Sequence, residues 1–310
     1  MLGIEIGFEF SHRLSGCLWA LTGFSSDGTL AGVYQGETEV NTATFLLSTG
    51  RCGTQWIAAN LQAAYGEAAV VEHEPLHDRY YPRLMLANGS PEQTGNAAEI
   101  FAHCETIEEI LREKSYIECG WPAWGAMPYL LKRFEGRIKI VHLVRHPVPI
   151  ACSWVSHRAF CPPAIPGLPY FREKILASPV DEGTAFPQYR ETWEGMNPFE
   201  KSLFFWAEVN ALGLKLEQTS AVPWRRIYFE NLFKGNALPE LMEFIGPDAA
   251  AEQTRALGNI KDEYRYVCDT WWKPQVIQKH PEIMRVAAKL GYEPLAFDEQ
   301  KLRERYFPVY

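Results

Sequence analysis

The sequence predicts an α/β protein with a central, mostly parallel sheet that is flanked by helices on both faces. Short apolar segments typical of buried parallel strands alternate with segments whose apolar residues recur at helical spacing. The 310 residues are 47% hydrophobic and 22% charged, as in ordinary globular proteins. The chain contains no internal repeat and no evident linker, so we expect a single domain over residues 1–310.

Residues 1–41 are predicted to form a short N-terminal β meander, because two β-prone segments flank a turn signal at Ser25–Gly28. Five apolar segments then predict the strands of the parallel sheet: Thr42–Leu47, Ala68–Val71, Ser115–Glu118, Ile138–Val144 and Arg226–Phe229. Helices are predicted after the loop at 48–54 and at 97–114, 148–157, 201–217, 237–245 and within 280–294. Residues 160–199 are rich in proline and glycine, which predicts a long loop or lid on the substrate side.

Charge and cysteine content exclude several classes of protein. The net charge of −8 argues against sequence-independent nucleic-acid binding, so an anionic ligand would need a local basic pocket. No apolar run reaches the ~18 residues of a membrane span, and the acidic N-terminus does not resemble a signal peptide. The 7 cysteines are scattered and form no CxxC pair. We therefore expect no nucleic-acid partner, no membrane partner, no disulfide framework and a cytoplasmic location.

A glycine loop between the first parallel strand and the following helix is a candidate phosphate-binding site. A loop that opens a helix exposes backbone N–H groups, and these groups together with the helix dipole favour an anion. Gly50 and Gly53 allow the backbone to curl, the Thr54 hydroxyl can donate, and Arg51 adds a positive charge. The same composition also suits a connection that binds nothing. A Walker A lysine after the second glycine is absent, because Thr54 and Gln55 stand there.

A second candidate phosphate contact follows the most clearly predicted strand, Ile138–Val144. Arg145 stands at the carboxyl end of Ile138–Val144, and Ser153 follows eight residues later on the next predicted helix. Because the carboxyl ends of parallel strands meet at one sheet edge, both side chains could hold a second phosphate of the nucleotide bound at the glycine loop. Alternatively, Arg145 is a solvated charge and Ser153 bonds back to a helix carbonyl.

Both motifs resemble those of sulfotransferases that use 3′-phosphoadenylyl sulfate (PAPS). Ser48–Trp56 resembles the 5′-phosphosulfate loop of that family, and Val144–Ser153 is similar to its 3′-phosphate motif, with the same spacing. Trp206–Asn210, Tyr228–Leu232 and Ala288–Tyr292 also resemble family segments, so the resemblance covers roughly residues 42–292. It implies the P-loop-like sulfotransferase fold.

The resemblance also implies the activity and the cofactor-binding residues. The enzyme would move the sulfuryl group of PAPS, by in-line displacement and without a metal, to a hydroxyl or amine of a small molecule or neutral glycan, leaving PAP. The residues implied to bind the nucleotide are Gly50, Arg51, Cys52, Gly53, Thr54, Gln55, Trp56, Arg145 and Ser153. Arg51 would stabilise charge on the leaving phosphate. Trp56 would stack on adenine, although a tryptophan at this position also suits the core.

Two departures from the family pattern concern the nucleotide. Cys52 replaces the usual serine of the loop, and we expect backbone donors to compensate. The late Arg-Lys-Gly cluster of the cytosolic members is absent. A P-loop-like small-molecule kinase and a non-catalytic nucleotide-binding protein stay open as alternatives.

The predicted general base lies after the second strand. Glu74 is the first candidate, since carbohydrate sulfotransferases carry a proposed glutamate base at nearly this place, while Glu72, His73 and His77 are alternatives. His73–His77 also matches HExxH, the zinc-protease signature. That motif needs both histidines on one helical face, and Pro75 with the preceding strand disfavours such a helix. No metal ligand is therefore predicted.

Overall fold

The computed structural model describes residues 40–80, 91–93, 96–161, 177–233, 236–246 and 272–307. Residues 40–310 form one compact unit. The predicted N-terminal meander, apart from its last two residues, and residues 162–176 of the predicted loop lie outside the described residues.

Five strands form one sheet in the order β2-β3-β1-β4-β5, and each neighbouring pair is parallel. Their bounds are β1 Ala43–Ser48, β2 Ala69–His73, β3 Ser115–Cys119, β4 Ile138–Val144 and β5 Trp224–Tyr228. Every residue of β1 is buried, as expected for a central strand covered on both faces. The predicted α/β class and parallel sheet are confirmed.

The described helices flank this sheet. They are α1 Thr54–Tyr65, α2 Ala97–Ile110, α3 Met127–Arg133, α4 Pro147–Ser156, α5 Pro198–Thr219, α6 Phe229–Leu232, α7 Ala237–Ile245, α8 Pro281–Lys289 and α9 Glu299–Tyr306. Helix α4 packs against α5, α5 packs against α8, and α9 contacts α4. No helix among these described segments is both long and apolar enough to cross a bilayer.

The helix ends differ from the predicted ones for local reasons. Helix α5 begins at Pro198 rather than at 201, because Asn197 and Glu200 form a reciprocal capping box. Helix α2 ends at Ile110 rather than at 114, where the chain turns toward β3. Helix α3 was not predicted because it is short, follows Pro122 and has Pro128 in its own first turn. Helix α9 was not predicted because it buries only Leu302 and shows no apolar stripe.

Short 3-10 turns complete the described connections: His77–Tyr80, Pro91–Gln93, Pro122–Ala126, Pro187–Glu191, Trp193–Gly195 and Pro274–Lys279. Two of these turns, Pro187–Glu191 and Trp193–Gly195, lie inside the predicted loop at 160–199, so its described part has local structure.

Candidate anion-binding site

The candidate site lies at the edge of the sheet where the strands end. Because all neighbouring strands are parallel, the residues that follow β1, β2, β3 and β4 meet at the same edge. Strand β1 lies between β3 and β4, so its loop sits where the strand order changes direction, the usual place for a ligand in such sheets. The structure therefore brings together the glycine loop, Glu74, Gly120 and Arg145.

The glycine loop curls through two consecutive left-handed residues, Gly50 and Arg51, and a third at Gly53. Gly50 has a φ of 70°, Arg51 of 59° and Gly53 of 82°. A left-handed arginine is uncommon and costs on the order of 1–3 kcal/mol, which is typical of functional sites. The Gly50 N–H donates to Ser48 Oγ at 3.1 Å. No side chain caps the amino end of α1, so its first N–H groups keep their capacity to bind an anion.

The side chain of Cys52 belongs to the inner framework of the loop. It is fully buried, and its thiol donates to the Gly50 carbonyl at 3.1 Å. The Thr49 hydroxyl donates to the same carbonyl at 3.1 Å. Burial raises the pKa of the Cys52 thiol to about 11, so the group is neutral at pH 7. Any contact of Cys52 with an anion would have to come from its backbone N–H.

Arg145 reaches directly into this loop. One terminal nitrogen, Nη1, donates to the Arg51 carbonyl at 2.6 Å, and the other, Nη2, donates to the Tyr306 hydroxyl at 2.9 Å. The guanidinium carbon lies 4.1 Å from the centre of the Phe229 ring. The residue is only 8% exposed. Among the residues that the structure describes, no carboxylate forms an ion pair with it.

Three of the segments that resemble the sulfotransferase family converge behind Arg145. The Trp206 indole N–H donates to the Arg145 carbonyl at 2.9 Å. Glu230 accepts a hydrogen bond from the His146 backbone N–H at 3.0 Å and another from the Tyr292 hydroxyl at 2.9 Å. These bonds fix the peptide unit between Arg145 and His146. The position of this backbone in turn limits where the Arg145 guanidinium can reach.

Arg51 and Ser153 contact one another within the pocket. The Arg51 Nε donates to Ser153 Oγ at 3.0 Å. Burial lowers the pKa of Arg51 to about 10; Tyr306 opposes this effect and the charge of Arg145 adds to it. Arg51 is therefore still charged at pH 7. Two guanidinium groups share the pocket, which gives it a positive potential inside an acidic protein.

Glu74 is held at the same edge by backbone contacts. Its φ is 51°, and its N–H donates to the Cys119 carbonyl at 3.2 Å. A side chain on Gly120 would not fit, because a Cβ there would lie 2.9 Å from Glu74 Cγ. Burial raises the pKa of Glu74 to about 7, while Arg51 and the Trp121 backbone N–H lower it. Near neutral pH this carboxylate can take up a proton.

The two histidines of the HExxH sequence are held apart by secondary structure. His73 is the last residue of β2, and His77 is exposed at the start of a 3-10 turn. They share no helical face, so the arrangement needed for a zinc protease is not formed. His73 Nε2 lies 3.2 Å from Thr54 Oγ1 and 3.6 Å from Glu74 Oε1. Burial lowers the pKa of His73 to about 4, so the contact with Glu74 is not an ion pair at pH 7.

Trp56 and Gln55 differ in their exposure. Gln55 is exposed, whereas Trp56 is 7% exposed and its ring centre lies 5.0 Å from that of Phe233. A flat base between two rings needs a separation of about 7 Å, twice the ~3.5 Å contact distance. The stacking of adenine on Trp56 stays a prediction, and it would require Phe233 to move. Phe233 is 46% exposed, so its ring could instead offer the stacking surface for the base.

Three residues of this region were not predicted from the sequence. His157 ends helix α4, four residues after Ser153; burial and the nearby charge of Arg51 lower its pKa to about 4. The i, i+4 spacing from Ser153 could have placed it on the same helix face. Tyr306 contacts Arg145 across 161 residues of sequence, and no local signal reveals such a contact. Glu118 is 1% exposed within β3, and its charge raises the pKa of Glu74.

The fold and the site define an α/β protein with a cationic pocket at the carboxyl edge of a parallel sheet. No family model matches the chain, and no curated protein matches it significantly. The solved structures to which it is similar at low identity include two sulfotransferase domains and one sulfotransferase.

A sulfotransferase domain from the curacin biosynthetic pathway is 16% identical, with a TM-score of 0.46, covering 82% of this chain and 98% of that one. A sulfotransferase domain from the Synechococcus PCC 7002 olefin synthase is 15% identical, with a TM-score of 0.44 and coverages of 82% and 95%. Mouse sulfotransferase SULT7A1, complexed with PAP, is 14% identical, with a TM-score of 0.43 and coverages of 85% and 88%.

Proposed function

We propose that this chain is a PAPS-dependent sulfotransferase that moves the sulfuryl group to a hydroxyl or amine of a small-molecule or neutral glycan acceptor and leaves PAP. The observation that carries the proposal is the buried guanidinium of Arg145. It lies against the glycine loop and has no carboxylate partner among the described residues. A buried charge without a counter-charge is costly. An anionic ligand would supply the missing counter-charge.

A nucleotide with two separate phosphate groups suits the distribution of donors. The loop backbone and Arg51 would take the 5′-phosphosulfate, and Arg145 with Ser153 would take the 3′-phosphate, as the sequence motifs imply. The bond of 2.6 Å from Arg145 to the Arg51 carbonyl supports this assignment, because it makes both positions parts of one pocket. Trp56 and Phe233 offer aromatic surface for the adenine.

The proposed chemistry is an in-line displacement at sulfur. The acceptor oxygen or nitrogen forms a bond to sulfur as the bond from sulfur to the 5′-phosphate oxygen breaks, and that electron pair stays on the oxygen of PAP. Arg51 would stabilise the charge that grows on this oxygen. The acceptor proton would pass to Glu74, whose pKa of about 7 suits a base at neutral pH.

Overall charge and thiol state bear on the acceptor and the compartment. The net charge of −8 disfavours polyanionic acceptors, so we propose a neutral or cationic one. The cysteines within the described residues are buried free thiols. This supports a reducing compartment such as the cytoplasm.

Ligand binding tests the proposal most directly. PAP should raise the melting temperature of the wild-type protein, by an amount that grows with RT ln(1 + [L]/Kd), and isothermal titration calorimetry should give its Kd. Arg145→Ala should abolish the effect. Arg133→Ala is the matched control, because Arg133 instead pairs with Glu108 at 2.9 Å and is part-exposed. Stabilisation by ATP with Mg²⁺ but not by PAP would favour a kinase. PAP binding without sulfation of any hydroxyl or amine acceptor would favour a non-catalytic binding protein.

A further inference from the structure

We infer that the C-terminal helix α9 is part of the nucleotide site and that Tyr306 is a binding residue, whose hydroxyl donates to the phosphate held by Arg145. This inference rests on the proposed function and adds a binding residue from a segment that the sequence motifs do not include.

The hydrogen bonds of Tyr306 carry the inference. Its hydroxyl oxygen accepts from Arg145 Nη2 at 2.9 Å, so the hydroxyl hydrogen is left to donate elsewhere. Within the part of the chain that the structure describes, no acceptor receives it. Arg145 uses two of its five N–H groups, one on Arg51 and one on Tyr306. The pair therefore offers one hydroxyl and several guanidinium donors to a further acceptor.

The position of Tyr306 relates it to both arginines of the pocket. Besides accepting from Arg145, it lies close enough to Arg51 to raise the pKa of that guanidinium, against the larger lowering by burial. A phosphate has several acceptor oxygens and can take the Tyr306 hydroxyl and the Arg145 guanidinium together. Hydrogen bonds to charged groups are about twice as strong as neutral ones.

The fold of α9 holds the hydroxyl in place. Asp298 caps the helix by accepting from the Lys301 N–H at 2.9 Å. Leu302 and Phe307 are 8% and 5% exposed, so the helix is anchored on both sides of Tyr306 along the chain. Helix α9 contacts α4, the helix that carries Ser153. The hydroxyl is thus presented by a packed helix.

The last turn of α9 also adds positive charge. Arg303 and Arg305 lie in this turn, where cations favour the helix dipole. The guanidinium carbon of Arg305 lies 5.5 Å from the centre of the Tyr306 ring. The late Arg-Lys-Gly cluster of the cytosolic sulfotransferases is absent from the sequence, whereas the last turn of α9 carries two arginines next to Tyr306, the residue that contacts Arg145.

An alternative role makes the opposite prediction. If Tyr306 only occupied Arg145, a ligand would have to displace it, and removal of its hydroxyl would tighten binding. The unused N–H groups of Arg145 argue against this role, because a phosphate can reach the guanidinium while Tyr306 stays bound.

The test is Tyr306→Phe, measured by calorimetry with PAP and with adenosine 5′-phosphosulfate, which lacks the 3′-phosphate. We expect the Kd for PAP to rise about tenfold, the effect of one lost hydrogen bond to a charged group. The Kd for adenosine 5′-phosphosulfate should stay within about twofold, because its contacts are made by the glycine loop.

Tyr65→Phe is the matched control. The Tyr65 hydroxyl is also bonded, at 3.0 Å to the Met242 and Gly246 carbonyls. It lies at the far end of α1, about 16 Å from the glycine loop by helix rise. This variant should lose stability and keep its PAP affinity.

The outcomes separate the inference from the proposed function. An unchanged or tighter PAP affinity in Tyr306→Phe, or an equal loss for both nucleotides, would overturn the role of Tyr306. If Arg145→Ala alone lost PAP, the proposed function would stand and only this inference would fail. If the wild-type protein bound no PAP, both would fall.

Discussion

Replacing Gly120 by alanine tests the placement of Glu74 without removing its carboxylate. The added Cβ would lie 2.9 Å from Glu74 Cγ, 3.3 Å from its backbone N and 3.4 Å from its Cα. The backbone of Glu74 cannot retreat freely, because its N–H is bonded to the Cys119 carbonyl at 3.2 Å and its φ is 51°. The side chain of Glu74 must therefore move.

The size of the effect follows from these distances. Carbon atoms at rest lie ~3.5–4.0 Å apart, so Cγ must shift by roughly 0.6–1 Å. Overpacking of this kind costs about 1–3 kcal/mol of folding free energy. A shift of about 1 Å in a reacting group can cost about a hundredfold in rate. We expect Gly120→Ala to lose about 1–3 kcal/mol of stability and tenfold to a hundredfold in sulfuryl transfer, with PAP affinity nearly unchanged.

Denaturant unfolding, PAP calorimetry and initial rates of acceptor sulfation measure the three quantities. Gly125→Ala is the control, because a Cβ at Gly125 meets no atom within 4 Å. Wild-type stability and turnover in Gly120→Ala would refute the steric reasoning. A loss of stability with full turnover would show that Glu74 is not the base.

Three further predictions rest on named contacts. Because burial raises the pKa of Glu74 to about 7, the carboxylate form that accepts a proton is lost as the pH falls below 7. Wild-type turnover should therefore fall about tenfold per pH unit below pH 7. Glu74→Gln should turn over slowly, with a rate that does not depend on pH in this range. Arg51→Ala should largely retain PAP binding in calorimetry but lose turnover, and unchanged turnover would remove Arg51 from catalysis. Gly213→Ala should lower the melting temperature strongly, since its Cβ would lie 2.5 Å from the buried His142 ring; a melting temperature equal to that of the wild type would contradict this packing.

The sheet could be predicted from the sequence because its strands are continuous apolar segments. The predicted bounds of β4, Ile138–Val144, are those observed. β2 extends to His73, beyond the predicted Val71. The prediction ended too early because the last two residues of the strand are polar and only partly buried. The proximity of the glycine loop to Arg145 could be predicted from the order of strands and motifs along the chain, without knowledge of side-chain positions. Parallel strands share one carboxyl edge, so two motifs that each follow a strand must lie there.

The rest of the site could not be predicted, because it depends on contacts between distant segments. Helix α9 buries only Leu302, so hydrophobic periodicity gives no sign of it, and the approach of Tyr306 to Arg145 is invisible without the fold. The partial burial of Glu74 comes from packing against segments distant in sequence, such as Gly120. Its raised pKa follows from that burial and is therefore also hidden from the sequence.

Under the proposed function, the opposite charges of Arg51 and Glu74 would couple nucleotide binding to the strength of the base. Arg51 lowers the pKa of Glu74, working against the larger effect of burial. A bound phosphosulfate would offset the charge of Arg51, so this lowering would weaken and the pKa of Glu74 would rise in the complex. The free protein would then carry a weaker base than the nucleotide complex, in which the acceptor must lose its proton. The pH profile of kcat/KM for PAPS reports the free protein and that of kcat reports the complex. The apparent pKa should therefore be higher in the kcat profile, and the reverse order would show that Arg51 does not couple the nucleotide to the base.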